Sequence, residues 1–384
     1  MKLQDVSPTT EHKGESVSAK AGEEVQRGTK RSAELRNLDQ DDQLKPTDAK
    51  LFVIETPSKD TPGPSLGHDG AGSTARATET RPAKFEKEKD YTIVDQESQI
   101  EPALEKLRNP SANAPFLAVD CEGEQLSRRG KLSLVSVGTE NHTYLFDIKT
   151  LGAGVFDKGL RDLLEDPNRE KLMYDCRSDS DCLWHLFKVK LANVLDLQLL
   201  QVIYREDHPE QPRYRNPPRG FQPMLRGFRR CLDLYVHDAK LVQAKDAGFQ
   251  LMQADKGLIW MKRPLEEKLL EYAAVDIRAS FLLYHKLKQA VDTAEAKTRL
   301  RVGSQRYLDF FRSKDQRTHD KYELNPFLPW RVLPKSGYAT SYSKEVTCTG
   351  CKGRFPGGPE DFLSYQVKKG VQKCPVCRKI DERN

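Results

Sequence analysis

No apolar run in the 384 residues approaches the roughly 20 residues needed to span a bilayer. The longest candidate, Leu191–Tyr204, is interrupted by Asn193 and Asp196. The N-terminus is polar and of mixed charge, without the apolar centre of a secretory signal. Membrane insertion and export are therefore not expected; an intracellular location, nucleus or cytoplasm, is. A large excess of one charge sign is also missing: 63 Lys+Arg stand against 57 Asp+Glu, for a net charge of +6. Residues 1–85 hold 13 basic and 14 acidic residues, so the whole bias, +7, falls on the rest of the chain. Such a balance is compatible with nucleic acid but does not demand it. There are no internal repeats.

Apolar residues are scarcest at the start. Residues 1–88 are rich in Ser, Thr, Glu, Lys, Gly and Pro, with one short apolar cluster at Leu51–Ile54. Too little apolar surface is available there to offset the entropy of ordering, so a disordered tail is expected. Order begins near Tyr91. Phe116–Asp120, Leu132–Val137 and His142–Ile148 read as three strands with short connections, an antiparallel meander. Helical and strand patterns then alternate: helix at Gly159–Glu165, strand at Lys171–Tyr174, helix at Asp179–Lys188, and helix near Leu195–Tyr204. The last strong helix is expected after Arg263-Pro264, with Pro setting the first turn, and runs to about Val291. The predicted fold is α/β, a mixed sheet with helices packed on it. Four segments follow from this: a tail (1–88), a catalytic-type domain (89–295), a basic helix and linker (296–345), and a small Cys-bearing module (346–384).

What the chain does have is acid in suggestive places. Asp120 and Glu122, in VDCEGEQL, share one strand face at i and i+2. Tyr272 and Asp276, in LEYAAVDIR, share one helix face at i and i+4. Between them, YDCRSDSDCLWHLF offers Asp175, Asp179 and Asp181. Carboxylates gathered without a basic partner repel each other, and hard oxygen ligands suit Mg²⁺ or Mn²⁺. Two such ions, about 4 Å apart, stabilise the attacking and leaving oxygens of a phosphodiester displacement. Each piece alone is ordinarily a solvated strand edge or a surface pair; their order within one domain is what points to chemistry.

The arginines of the Pro-rich stretch 205–230, especially Arg213, Arg215 and Arg219, are candidates for phosphate contacts, which need no base reading. Tyr307, Leu308 and Phe311 lie at helical spacing and are expected to pack rather than to stack on bases. At the C-terminus, Cys348-x₂-Cys351 and Cys374-x₂-Cys377 are separated by 22 residues. That is a tetrahedral zinc pattern, expected to hold one structural Zn²⁺ in a zinc-ribbon-like module that depends on the metal to fold. Cys121, Cys176, Cys182 and Cys231 are scattered and expected to be buried small hydrophobes.

Over roughly residues 90–292 the sequence resembles the DEDD-type 3′–5′ exonucleases of the RNase H-like fold (the DnaQ-like superfamily), in the subgroup with a tyrosine in the third motif. VDCEG matches the first motif, and RPLEEKLLEYAAVD (263–276) is similar to the third motif of RNase D and Werner-type proteins. KLMYDCRSDSDCLWHLFKVKLANVLDLQ (171–198) looks closest to Egalitarian-like exonuclease-domain proteins. The resemblance implies Asp120, Glu122, Asp179 and Asp276 as ligands of two cations, and Tyr272 as the residue that orients the attacking water. Asp179 is the second-motif choice because Leu183 and Phe187 follow at the family's spacing; Asp181 is the alternative. Tyr174 stands where relatives often carry His. The implied partner is the 3′ end of RNA or DNA, with a protein partner through the zinc module or the N-terminal tail as a further expectation. In the Egalitarian-like branch the Asp179 position is often apolar and some members keep only binding. A non-catalytic adaptor on the same fold is therefore the competing reading.

Overall fold

The computed structural model describes residues 89–108, 116–208, 223–255, 257–334, 345–356 and 372–383. The expected disorder of 1–88 and the candidate phosphate contacts Arg213, Arg215 and Arg219 lie outside the described residues.

Strand β1 (Tyr91–Val94) and helix α1 (Glu97–Arg108) precede the expected meander of β2 (Leu117–Glu124), β3 (Lys131–Gly138) and β4 (Thr143–Asp147). Its register pairs Val119 with Val137 and Val135 with Phe146, both couples antiparallel. A short helix at Arg161–Glu165 leads to β5 (Lys171–Met173), α2 (Arg177–Phe187), β6 (Val194–Asp196) and α3 (Leu197–Asp207). The six strands form one mixed sheet in the order β1-β4-β3-β2-β5-β6, with β1 parallel to β4 and with β5 and β6 parallel to β2. Every residue of β3 after Lys131 is buried. That pattern reflects a strand covered on both faces and explains its near-continuous apolar run.

Two strands differ from the sequence expectation. β1 is a four-residue parallel edge that carries no hairpin signal. β6 occupies the place where a helix from Leu195 was expected. The helix begins two residues later because Asp196 caps it, accepting from the N–H groups of Gln198 (3.0 Å) and Leu199 (3.1 Å).

Helix α4 (Ala239–Ala254) crosses to α5 (Glu267–Leu287), which lies against β2 and β4, and α6 (Ala294–Arg312) packs on α2 and β6. α5 starts at Glu267, so Pro264 belongs to the preceding turn rather than to its first turn. Arg263 holds that turn through Asp147 (2.5 and 2.6 Å) and the Trp260 carbonyl. Tyr307, Leu308 and Phe311 are buried on α6, as a packing stripe should be. The Cys-bearing module comprises hairpin β7 (Glu345–Thr347) and β8 (Arg354–Pro356) and helix α7 (Pro375–Glu382). Among the described residues no helix is long and apolar enough to cross a membrane.

Candidate active site

Leu117–Val119 anchor β2 in the core, and the strand's pleat then turns Asp120 and Glu122 to the same face. A bulge follows: Glu122 pairs with Leu134, whereas Gly123 pairs with Leu132. Only glycine permits this approach, since a Cβ at Gly123 would sit 2.0 Å from the Lys131 carbonyl oxygen. From α5, Asp276 projects toward the same place, and carboxylate oxygens of Asp120, Glu122 and Asp276 lie within 4.8 Å of one another.

Asp179, in the first turn of α2, is buried at 6% exposure, and its Oδ1 has no hydrogen-bond partner. Burial, followed by the charges of Asp276 and Asp179, pushes the Asp120 carboxyl well above its usual range. Burial and the charges of Asp120 and Asp276 do the same to Glu122. Burial lifts Asp179 to about 7. A buried oxygen without a hydrogen-bond partner, beside carboxylates whose ionisation is opposed by burial and mutual repulsion, is a place where a divalent cation would restore the charge balance. The all-oxygen donor set fits Mg²⁺ or Mn²⁺.

The other acids of the second motif are engaged elsewhere. Asp175 has a positive φ of 56° and binds Arg177 through both oxygens (2.5 and 2.6 Å). Asp181 is fully buried. It accepts from the Arg128 N–H (2.9 Å), from Arg128 Nε and Nη2 (3.0 and 2.8 Å), and from Arg317 Nη1 (3.3 Å). These cations hold its carboxyl below the usual range although burial opposes them. Asp181 thus ties the β2–β3 loop to the segment after α6.

Tyr272 packs in a cluster with Trp260, Leu134 and Leu269. α4 lies directly on its ring: a Cβ at Gly248 would come within 2.3 Å of Tyr272 Cδ2. Burial and the charges of Asp276, Glu122 and Asp120 push the phenol well above 10. It remains protonated at neutral pH and is suited to orienting a group rather than to taking its proton.

One participant was not foreseen from the sequence. Lys245 of α4 places Nζ 2.7 and 2.8 Å from the two oxygens of Asp276 and 3.3 Å from the Tyr272 hydroxyl. The acids thus have a basic partner after all. Leu241, Lys245 and Gly248 form one buried helical stripe on α4. A lysine on an otherwise apolar stripe was the available signal. Tyr174, the residue that replaces His, stacks on Phe228 (centroids 4.5 Å apart, 18° between planes) and donates to the Arg226 carbonyl (2.7 Å). It anchors the segment that brings Phe228 over Lys245.

Far along the chain, the sulfurs of Cys348, Cys351, Cys374 and Cys377 lie within 4.8 Å of one another and all four residues are buried. The Cys374 N–H points at Cys348 Sγ (3.2 Å) and the Cys377 N–H at Cys374 Sγ (3.4 Å), as in thiolate knuckles around a tetrahedral ion. The four remaining cysteines are buried, as expected.

A strand-borne acid pair facing a helix-borne Tyr and Asp, on a mixed six-stranded sheet, defines a nuclease-type site. The family described as 3′–5′ exonuclease matches residues 91–292, more than half of the chain, and the chain belongs to that family. Among curated proteins it is similar to the piRNA biogenesis protein EXD1 of Xenopus laevis, at 31% identity over 196 residues, 50% of this chain and 41% of that protein. The Mus musculus protein of the same name is 32% identical over 200 residues, 50% of this chain and 32% of its own length. The chain therefore spans less than half the length of these relatives. Among solved structures, the Trypanosoma brucei RNase D: GMP complex aligns with a TM-score of 0.48 at 27% identity, covering 58% of this chain and 64% of that one.

Proposed function

We propose that the chain is a divalent-cation-dependent 3′–5′ exonuclease that hydrolyses terminal phosphodiester bonds of RNA or DNA and releases nucleoside monophosphates. The observation that carries this reading is the meeting of Asp120, Glu122 and Asp276 within 4.8 Å, with the orphaned Asp179 oxygen buried nearby. These four residues would hold Mg²⁺ or Mn²⁺. Bound divalent cation supplies charge neutralisation at the phosphate and a more acidic water. The protein's own part is orientation and exclusion. Tyr272 offers a protonated hydroxyl fixed by packing, and α4 with Phe228 covers the Asp276 side of the site while Asp120 and Glu122 stay partly exposed. Arg213, Arg215 and Arg219 are proposed to contact the substrate backbone, and the four-cysteine module to hold one structural Zn²⁺. The similar curated proteins are named for piRNA biogenesis, which favours RNA as the first substrate to test.

The Lys245–Asp276 ion pair favours a second reading, a non-catalytic nucleic-acid-binding adaptor, because an ammonium already balances part of the acid charge. Incubating the purified chain with 3′- and 5′-labelled RNA and DNA, in Mg²⁺, Mn²⁺ or EDTA, separates the two. Metal-dependent shortening from the 3′ end is expected. Folded protein that binds Mn²⁺ and RNA without shortening it would establish the adaptor.

A further inference from the structure

The geometry points to Lys245 as a resident cation that takes the place of one of the two divalent ions, so that the nucleic-acid-free protein binds a single Mg²⁺ or Mn²⁺ at the carboxylates. The inference rests on the nuclease reading for the location of the metal, and its test reads binding rather than turnover.

An ammonium has three donors, and Lys245 spends all of them inside the site, on the two Asp276 oxygens and on the Tyr272 hydroxyl. Its side chain is 9% exposed, and that of Asp276 is 7%. The charged end is held between two rings, with Nζ 4.7 Å from the Tyr272 centroid and 4.8 Å from that of Phe228. Phe228 is in turn stacked on Tyr174, whose hydroxyl is fixed by the Arg226 carbonyl and the Cys231 sulfur. Gly248, one turn beyond Lys245, lets the helix approach Tyr272 closely enough for this reach. A lysine clamped by Asp276, Tyr272 and Phe228 is part of the site's construction, not a surface chain that has wandered in.

Its charge also faces Asp120 and Glu122, whose carboxylate oxygens lie within 4.8 Å of those of Asp276. The oxygens it leaves free of an ammonium are those of Asp120, Glu122 and Asp179. Asp179 Oδ1 is buried without a hydrogen-bond partner, and together these oxygens are the donors left for one ion. Four carboxylates, one ammonium and one divalent ion leave a single negative charge. A second ion would leave an excess positive charge in a buried cluster and would have to displace an ammonium from both oxygens of Asp276.

The test is Mn²⁺ titration of the zinc-loaded full chain, followed by electron paramagnetic resonance or calorimetry, without nucleic acid. Wild type should bind one Mn²⁺ per chain, and Asp120→Asn should lose it. Lys245→Met keeps the apolar stem between the two rings but removes the charge. It should bind two ions, or bind the first about tenfold or more tightly, because the coupling between ammonium and ion has been removed. Two ions on the unmutated protein would overturn the inference whatever the variant does, as would an unchanged count and affinity in folded Lys245→Met. Inactivity on RNA and DNA with one bound Mn²⁺ would sink the exonuclease reading and leave this one standing.

Discussion

Asp179 and Asp181 sit two residues apart on α2, both buried, yet their conversion to Asn should have opposite consequences. The Asp179 carboxyl is raised by burial from 3.8 to about 7. Its folded pKa exceeds the unfolded one, so its ionisation costs stability as pH rises through that window. Three units at 1.36 kcal/mol each give about 4 kcal/mol as the upper limit that Asp179→Asn recovers at pH 8 without metal. Asp181 is the reverse case: its carboxyl is held low, and removing its charge leaves the buried Arg128 and Arg317 without their shared partner. Breaking such a pair costs about 3–5 kcal/mol. Arg128 keeps the carbonyls of Phe311, Lys314 and Asp315, and Arg317 keeps Glu323, so the lower end is expected. Urea unfolding in EDTA at pH 8 should therefore move the midpoint up for Asp179→Asn and down for Asp181→Asn. A 3′-labelled RNA assay, normalised to folded protein, should lose cleavage with the first and keep most of it with the second. If Asp179→Asn proved the less stable protein, or Asp181→Asn the inactive one, the division between ligand and strut drawn here would be wrong.

Tyr272→Phe keeps the ring against Gly248 and Trp260 but removes the acceptor of one buried Lys245 donor, so stability to urea should fall by about 1 kcal/mol while 3′ trimming, normalised to folded protein, falls by about 10–100-fold through lost positioning; an unchanged rate would deny the hydroxyl any role. The four-cysteine module shares a buried cluster with Phe327 and packs beside Phe310 and Tyr322, next to the buried Lys314–Glu323 pair. α7, with eight residues, is too short to persist alone. Removing the proposed zinc with a chelator should accordingly lower the stability read from the main unfolding transition by about 2–4 kcal/mol, and a separate tail transition with the main one unmoved would refute the docking. Lys171 is fully buried, with Nζ on the carbonyls of Asp166, Arg169 and Ala192, and burial lowers it to about 8. The unfolded lysine titrates near 10.5 and binds the extra proton between the two values, so stability should rise with pH in that window. A rise of up to about 3 kcal/mol is expected; equal slopes in wild type and Lys171→Met would contradict it.

The parts of this protein that local geometry dictates were legible in the chain. Spacings of two on a strand and four on a helix put Asp120 with Glu122 and Tyr272 with Asp276 whatever surrounds them. The apolar stretches of β2, β3 and β4 with their short connections specified the meander, and the Cys-x₂-Cys pairs specified a cluster of four sulfurs. Partnership across the fold was not legible. Asp181 meets Arg128 across 53 residues and Arg317 across 136, so nothing in YDCRSDSDC marks it as a strut while one oxygen of Asp179, Oδ1, is left without a partner. Lys245 lies 31 residues from Asp276, on a helix that reads as an ordinary amphipathic one. Only the packing of α4 on α5, permitted by Gly248, brings its charge among the acids. The carboxylates' identity is a property of sequence; their charge balance depends on which distant cations the packed sheet and helices carry to within hydrogen-bonding distance, and the tertiary structure alone decides that.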